Sequence, residues 1–460
     1  MHSKISSRIF FYPELPVAAA LLVMLAGAGF SPAMAQTQQP SPNQVLALNL
    51  QQAMKMALTN NLQTRLAREG VLQAEGEKGL GLSALLPHFA GTAYQSNLTS
   101  NLAAMGLGPS TFPGIKPFVG PYNRFDARIQ LVQSVFNLAS IRRYQASAHG
   151  LELARIEKRS AEQQVMIATV LSYLAVIEAQ QSVEAAQADV NLAQRLLELA
   201  RSQRKTGVAT GIDVVRAETR LASQEVRLAQ ARTDLDTSKL NLLRVVGAPL
   251  ASELALTQKM QFVPEAIPDR EEAIQKAITD RVEIQIAEEQ FQIAKAQKSA
   301  AASEWIPSLS FIADYGSSGV TPAETNLPTR SYGIYLDIPI FDGGRMHSEN
   351  KIAASRLRQA ELRLRDLKEV VEKEVRQAID NLFTRREQVE AAQKTLALAE
   401  RELELTRDLF RSGIGDNIQV VSAQTAVENA RREVVASLTL FNVARLNLVA
   451  ALGHVEEFRL

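Results

Sequence analysis

Asp213 and Asp416 each stand in a short glycine-bearing stretch, Gly207-Val208-Ala209-Thr210-Gly211-Ile212-Asp213 and Gly413-Ile414-Gly415-Asp416-Asn417-Ile418-Gln419. These stretches hold the residue types with the most specific local chemistry in the chain. A glycine just past a helix end adopts the left-handed conformation that other residues resist. Arg204 and Lys205 before the first stretch, and Arg407 and Arg411 before the second, complement the negative end of a helix dipole. Thr210 or Asp213, and Asp416 or Asn417, are then candidates to cap the helix that follows. Both stretches read as hairpin turns. They also suit close approach by a partner's backbone, because their side chains are small. Gly207, Val208, Ala209, Thr210, Gly211, Gly413, Ile414 and Gly415 therefore form a candidate docking tip.

Other chemistry is poorly supplied. The chain has no cysteine, which excludes disulfides, thiol catalysis, zinc-thiolate sites and an acylated N-terminal cysteine as lipid anchor. Its five histidines, His2, His88, His149, His347 and His454, are scattered, and none forms a helix-spaced pair with a carboxylate that suits a metal. Gly79-Leu80-Gly81 and Asp342-Gly343-Gly344 lack the glycine fingerprint, lysine and strand-to-helix setting of a nucleotide site. No nucleophile or acid/base constellation stands out among the charged residues, so no enzyme, metal or cofactor is expected. A net charge of +1, from 50 basic and 49 acidic residues, removes the electrostatic basis for a nucleic-acid partner.

The elements that hold the turns are long helices. Charged residues make up 22 % of the 460 and aromatics only 5 %, which suits extended helices better than several compact cores. Residues 1–35 carry Lys4 and Arg8, an apolar run from Pro16 to Phe30, and Ala33-Met34-Ala35 before Gln36. That pattern is a cleavable secretory signal. No later stretch approaches about 18 uninterrupted apolar residues, so any entry into a membrane must use strands.

From Ala53 to Pro87 the chain reappears without a gap 220 residues later: Ala57, Ala67, Glu69, Lys78 and Pro87 meet Ala277, Ala287, Glu289, Lys298 and Pro307. The chain is an internal duplication. A helical pattern runs from about Leu50 to Pro87, where proline ends it. The period then changes to two. Phe125 to Leu131, Leu309 to Tyr315, and Tyr332 to Ile340 alternate apolar with more polar residues, and Phe89 to Leu98 does so weakly. Fourteen of the 25 aromatics lie between Phe89 and Tyr144 or between Trp305 and Phe341; placed at strand ends, they suit the two interfaces of a bilayer. Four amphipathic strands are too few to bury both faces or to close a barrel, so partner chains are required. The connection from Thr99 to Asn123 is longer than its counterpart from Ser317 to Arg330, as expected of an exposed tip.

Beyond the strands, the stretch from Arg143 to Lys205 has no proline and only Gly150, and Met346 to Ser412 has neither residue. Helices of this length span roughly 90 Å and need lateral partners. Leu221, Leu228, Leu235 and Leu242 recur every seven residues, and Val427, Val434, Phe441 and Leu448 repeat the stripe 206 residues later. That spacing means coiled-coil packing. The expected organisation is a signal at 1–35, a first repeat at 36–247, an irregular linker at 248–270 rich in proline, and a second repeat at 271–460. Each repeat holds a helix, two strands and a long helical hairpin. The fold class is mainly α with a transmembrane β portion.

The order of these features resembles the TolC-type outer-membrane efflux family. The resemblance rests on Thr206 to Val214, on Leu86-Pro87 and Ile306-Pro307 before strands, and on the joints Val135-Phe136 and Ile340-Phe341-Asp342-Gly343-Gly344. It covers Leu46 to Gly453. It implies a homotrimer whose strands form a 12-stranded barrel in outer-membrane lipid of a Gram-negative bacterium, continued by a helical barrel into the periplasm. The implied function is a passive duct for tripartite efflux or type I secretion. Its implied partners are a periplasmic adaptor (membrane fusion protein) and an inner-membrane RND, ABC or MFS transporter. The alternative is a pore-less periplasmic or surface coiled-coil protein. The resemblance also implies a gate between the turns. Asp213 matches its acidic position, whereas Phe410 stands where a tyrosine is expected, Gly415 replaces an arginine, and Gln419 and Ser422 replace aspartates. Asp416 is the one carboxylate near the second turn. Asp213, Phe410, Asp416 and Gln419 are thus the candidate residues of a weaker or differently built gate. Phe410→Tyr combined with Gly415→Arg should lower single-channel conductance; an unchanged conductance would count against this placement.

Overall fold

The computed structural model describes residues 45–460 apart from 108–112, 115, 208, 264–267, 413, 415 and 416, so the expected signal lies outside the described residues. Seven elements succeed one another twice. The first series is β1 (Leu46–Leu48), α1 (Leu50–Asn60), α2 (Leu62–Ser83), β2 (His88–Asn101), β3 (Phe118–Phe136), α3 (Leu138–Lys205) and α4 (Gly211–Val246). The second is β4 (Leu254–Leu256), α5 (Arg270–Asp280), α6 (Val282–Ser303), β5 (Ser308–Gly319), β6 (Leu327–Asp337), α7 (Arg345–Arg411) and α8 (Asn417–Ala451).

Several expectations need correction. The continuous helix from Leu50 to Pro87 is two helices, because Asn61 is extended (φ −62°, ψ 139°) and caps α2 by accepting the Gln63 amide at 2.8 Å. Arg281 breaks the second copy with the same extended backbone (φ −66°, ψ 129°) but without a side-chain cap. The linker 248–270 is not wholly irregular, since β4 pairs in parallel with β1, Leu46 opposite Leu254. Three residues are too few to show a period. Finally, β6 stops at Asp337 rather than Ile340, ahead of Pro339, which has no amide to donate to a ladder.

The four expected strands form one antiparallel sheet in the order β2-β3-β5-β6. Weak alternation in β2 conceals a 14-residue strand, paired with β3 from His88 opposite Val132 to Asn101 opposite Phe118. Both strands therefore run into the stretch 99–123 expected to be loop. Residues opposite one another share a face. Phe89, Leu131, Ala313 and Tyr332 lie in one such row, and Ile129, Tyr315, Phe311, Ile334, Leu309 and Leu336 extend that face. The opposite face carries Asp126, Arg128, Asp314 and Ser318. There Arg128 Nε donates to Asp126 at 2.6 Å and Nη1 to Asp314 at 3.1 Å, and Ser318 donates to Asp126 at 2.7 Å. One face is apolar and its reverse is an ionic network.

At 68 and 67 residues, α3 and α7 are each roughly 100 Å long. Each strand-to-helix joint begins with a cap. Asn137 accepts the Ser140 amide at 2.9 Å, and Asp342 accepts the Gly344 and Met346 amides at 3.1 and 2.7 Å. Gly343 and Gly344 there have φ of +69° and +87°, as the sequence predicts for this joint. Two apolar clusters cover the middle of the long helices. One joins α1, α3 and α4 through Met54, Tyr173, Leu174, Leu242 and Val246; its counterpart joins α5, α7 and α8 through Ile274, Val375, Ile379, Phe441 and Leu448. Tyr173 is fully buried and donates its hydroxyl to the Leu48 carbonyl at 3.1 Å, and burial pushes that phenol up to about 12. β1 is thereby fastened to α3.

The two helix breaks receive the ends of the hairpins. Gly247, after α4, has φ +70°, and a Cβ on it would stand 2.7 Å from the Cβ of Asn60. Gly453, after α8, has φ +86° and would meet Asp280 and Arg281 at 3.4 Å. Asn61 Nδ2 adds a hydrogen bond to the Val245 carbonyl at 2.8 Å. Gly247→Ala combines an unfavourable backbone angle with this overlap and should cost about 1–3 kcal/mol. Gly150→Ala, inside α3 with open space around its Cβ, should cost nothing. Denaturant midpoints followed by helical circular dichroism check both; equal midpoints would refute the packing role of Gly247.

Candidate functional site at the hairpin turns

The first turn is built as its residues demand. α3 ends at Lys205, and Gly207 follows in the left-handed region with φ +80°, its amide donating to the Arg204 carbonyl at 3.2 Å. A Cβ on Gly207 would meet nothing, so the backbone angle and not crowding selects glycine. Thr210 is the N-cap of α4, with Asp213 three residues on completing a capping box. Asp213 Oδ2 accepts from the Thr210 amide at 2.8 Å and the Thr210 hydroxyl at 2.6 Å, and the Asp213 amide donates to Thr210 Oγ1 at 3.4 Å. Of the two capping candidates, Thr210 caps and Asp213 reciprocates. Its carboxylate also lies 3.8 Å from Arg216 Nη1. Asp213 thus braces the start of α4.

In the second turn, Gly413, Gly415 and Asp416 lie outside the described residues, as Val208 does in the first. Ile414 is 80 % exposed, and Gln419 is exposed in the first turn of α8. Phe410 is buried with Leu403, Val420, Ala423 and Val427. Its ring packs within the second hairpin, while its carbonyl accepts from Gln203 Nε2 at 2.9 Å. The buried Gln203 therefore ties the end of α3 to the end of α7.

Gln203 is absent from the residues that sequence reasoning selects, although a signal for it exists. Leu192, Leu196 and Leu199 pack against the second hairpin's cluster, and their spacing of four and three residues continues to position 203. A glutamine there is a polar residue in an apolar seam. Beside the turns, α4 and α8 border a groove of 980 Å³ lined by Ile212, Val215, Ile418 and Val421 and by Arg216 and Arg220. Ile212 and Val215 are well exposed. The site offers small residues, exposed aliphatic groups and a capped helix start. That equipment suits a protein surface. Among the described residues no three His, Asp or Glu side chains converge to hold a cation.

Comparisons with known proteins agree with the shape. A family model described as outer membrane efflux protein matches residues 53–248 and 273–454. The alkaline protease secretion protein AprF of Pseudomonas aeruginosa is 23 % identical over 393 residues, spanning 84 % of this chain and 81 % of that protein. The outer membrane protein TolC of Escherichia coli is 22 % identical over 73 % of this chain and 70 % of its own. Among solved structures, the CmeC outer membrane channel of Campylobacter jejuni matches with a TM-score of 0.78 at 19 % identity, over 88 % of this chain and 86 % of its own. VceC of Vibrio cholerae matches at 0.75 and 16 %, over 88 % and 96 %.

Proposed function

The chain belongs to the outer membrane efflux protein family, and from that premise we propose that three copies assemble into one continuous duct whose turns dock a periplasmic adaptor. Its function is that of an outer-membrane channel in a tripartite efflux or type I secretion system, a passive conduit and not an enzyme. The four-stranded sheet supports the trimer. β2 and β6 are its two edges, and an edge in lipid leaves amides and carbonyls without partners, each at a cost of several kcal/mol. Three copies supply twelve strands and pair every edge. The apolar face, where Tyr332 and Ile334 stand highly exposed in the single chain, then faces lipid, and the Asp126–Arg128–Asp314 face lines the lumen. Exposed Trp305 and Phe341 at the strand ends suit the membrane interface.

Within this reading, residues 1–35 direct export and are removed, and α3, α4, α7 and α8 form the periplasmic tunnel. The turn residues Gly207 to Gly211 and Gly413 to Gly415 meet the adaptor, and an inner-membrane transporter supplies the energy. Asp213, Phe410, Asp416 and Gln419 border the mouth. Purified protein should run as a heat-modifiable trimer and conduct ions in planar bilayers; a soluble, non-conducting oligomer would sink the duct. For docking, Gly211→Trp is informative, because a Cβ there meets nothing closer than Arg204 at 3.9 Å. Together with Gly207→Trp it should abolish adaptor crosslinking and export while the trimer persists. Retained crosslinking would refute docking at this turn.

A further inference from the structure

The hairpins are held internally by apolar stripes. α3 packs on α4 through Leu197, Ala200, Val214 and Ala217, and α7 on α8 through Leu403, Phe410, Val420 and Val427. α4 and α8 belong to different hairpins and share apolar packing far from the turns, where Leu242 and Leu446 lie in one cluster; nearer the turns the contact is of another kind. Glu428 on α8 is 1 % exposed, and three side chains of α4 converge on its carboxylate. Arg220 Nη2 donates to Oε2, Gln224 Nε2 donates to both oxygens at 3.1 Å, and Arg227 Nη1 donates to Oε2 at 3.2 Å. Positions 220, 224 and 227 share one face of a helix. Arg220 also donates to Thr425 Oγ1 at 3.1 Å.

The other two helices close the cluster. Asp189 of α3 accepts from Arg431 Nη1 at 3.0 Å, and Arg431 Nη2 reaches Glu400 of α7 at 3.2 Å. Burial, reinforced by the nearby Glu428 carboxylate, pushes the Asp189 carboxyl up, and Arg431 and Arg432 oppose that push. Glu428 lies 11 residues beyond the start of α8, about 16 Å above the turn.

Stability does not account for this hub. Buried ion pairs replaced by well-packed apolar residues commonly leave a protein as stable or more so. Ions and leucines differ once they separate: a parted apolar seam exposes hydrocarbon to water, whereas parted charges are hydrated. A charged seam holds register while shut and remains separable. We propose that Glu428 is the positioning residue that clamps α4 of the first hairpin to α8 of the second, and that this clamp parts when the duct opens. The proposal rests on the duct reading and places closure above the turns, in residues other than Asp213 and Phe410.

Single-channel recording in planar bilayers tests it on the full-length protein. Glu428→Gln keeps the shape and removes the charge. Assembled as a trimer, it should show a several-fold rise in conductance or open probability. Arg220→Gln should act likewise, and the exchange Arg220→Glu with Glu428→Arg should restore conductance toward the parent value. A role in stability alone would lower the melting temperature without moving conductance. If Glu428→Gln fails to assemble, Arg227→Gln, at a half-exposed partner, should still raise conductance. Conducting parent protein with unchanged variants overturns the clamp and leaves the duct standing. A parent protein that does not conduct overturns both.

Discussion

A helix of 68 residues cannot stand alone in water, and the need to cover its apolar stripe along its whole length governs the rest of this structure. Isolated helices are marginal, and their stability in proteins comes from packing of the apolar face. Here coverage is supplied in sections. α2 and α6 cover the sheet-proximal part of α3; α1 and the C-terminal part of α4 cover the middle; the N-terminal part of α4 covers the end, at Leu197 and Ala200. The second copy repeats this with α6, α5 and α8 around α7. The break at Asn61 follows from the same need, because α1 and α2 cover different sections and the chain must be redirected between them.

Duplication supplies two equal sets of elements, and the differences between them show where the fold tolerates change. Gly247 and Gly453 both fit their hairpin ends against a helix break. The fastening beside each has diverged: Asn61 donates to Val245 in the first, and His454 Nε2 stands 3.1 Å from Asp280 in the second. The backbone requirement at the glycine is steric and admits few substitutes. A polar tie between two surface-adjacent groups can be rebuilt with other residues, since its net contribution is only about 1 kcal/mol.

Polar residues within the seams carry a different kind of information. Gln203, Gln224 and Glu428 occupy positions where the stripe would accept leucine, and each bonds across the boundary between the hairpins. An apolar seam tolerates sliding; a buried glutamine or glutamate with fixed partners does not, because every other register strands it unpaired. Hydrocarbon also joins the hairpins, at Leu192, Leu196 and Leu199 against the second one, and these few polar side chains fix the register in which it packs.

Much was legible from sequence alone. The duplication, the existence of four strands, the two hairpins and the left-handed glycine at 207 all come from signals carried by near neighbours: period, proline, glycine and cap residues. Such signals act through backbone geometry over a few residues, which any stretch of chain displays by itself. The pairing of β1 with β4 across 208 residues and the seating of Gly247 on Asn60 depended on the folded arrangement. So did the partners of Phe410 and Glu428. A buried polar residue in a stripe is visible in the sequence as an exception, but its partner is set by whichever remote helix lies opposite, and only the tertiary structure decides that.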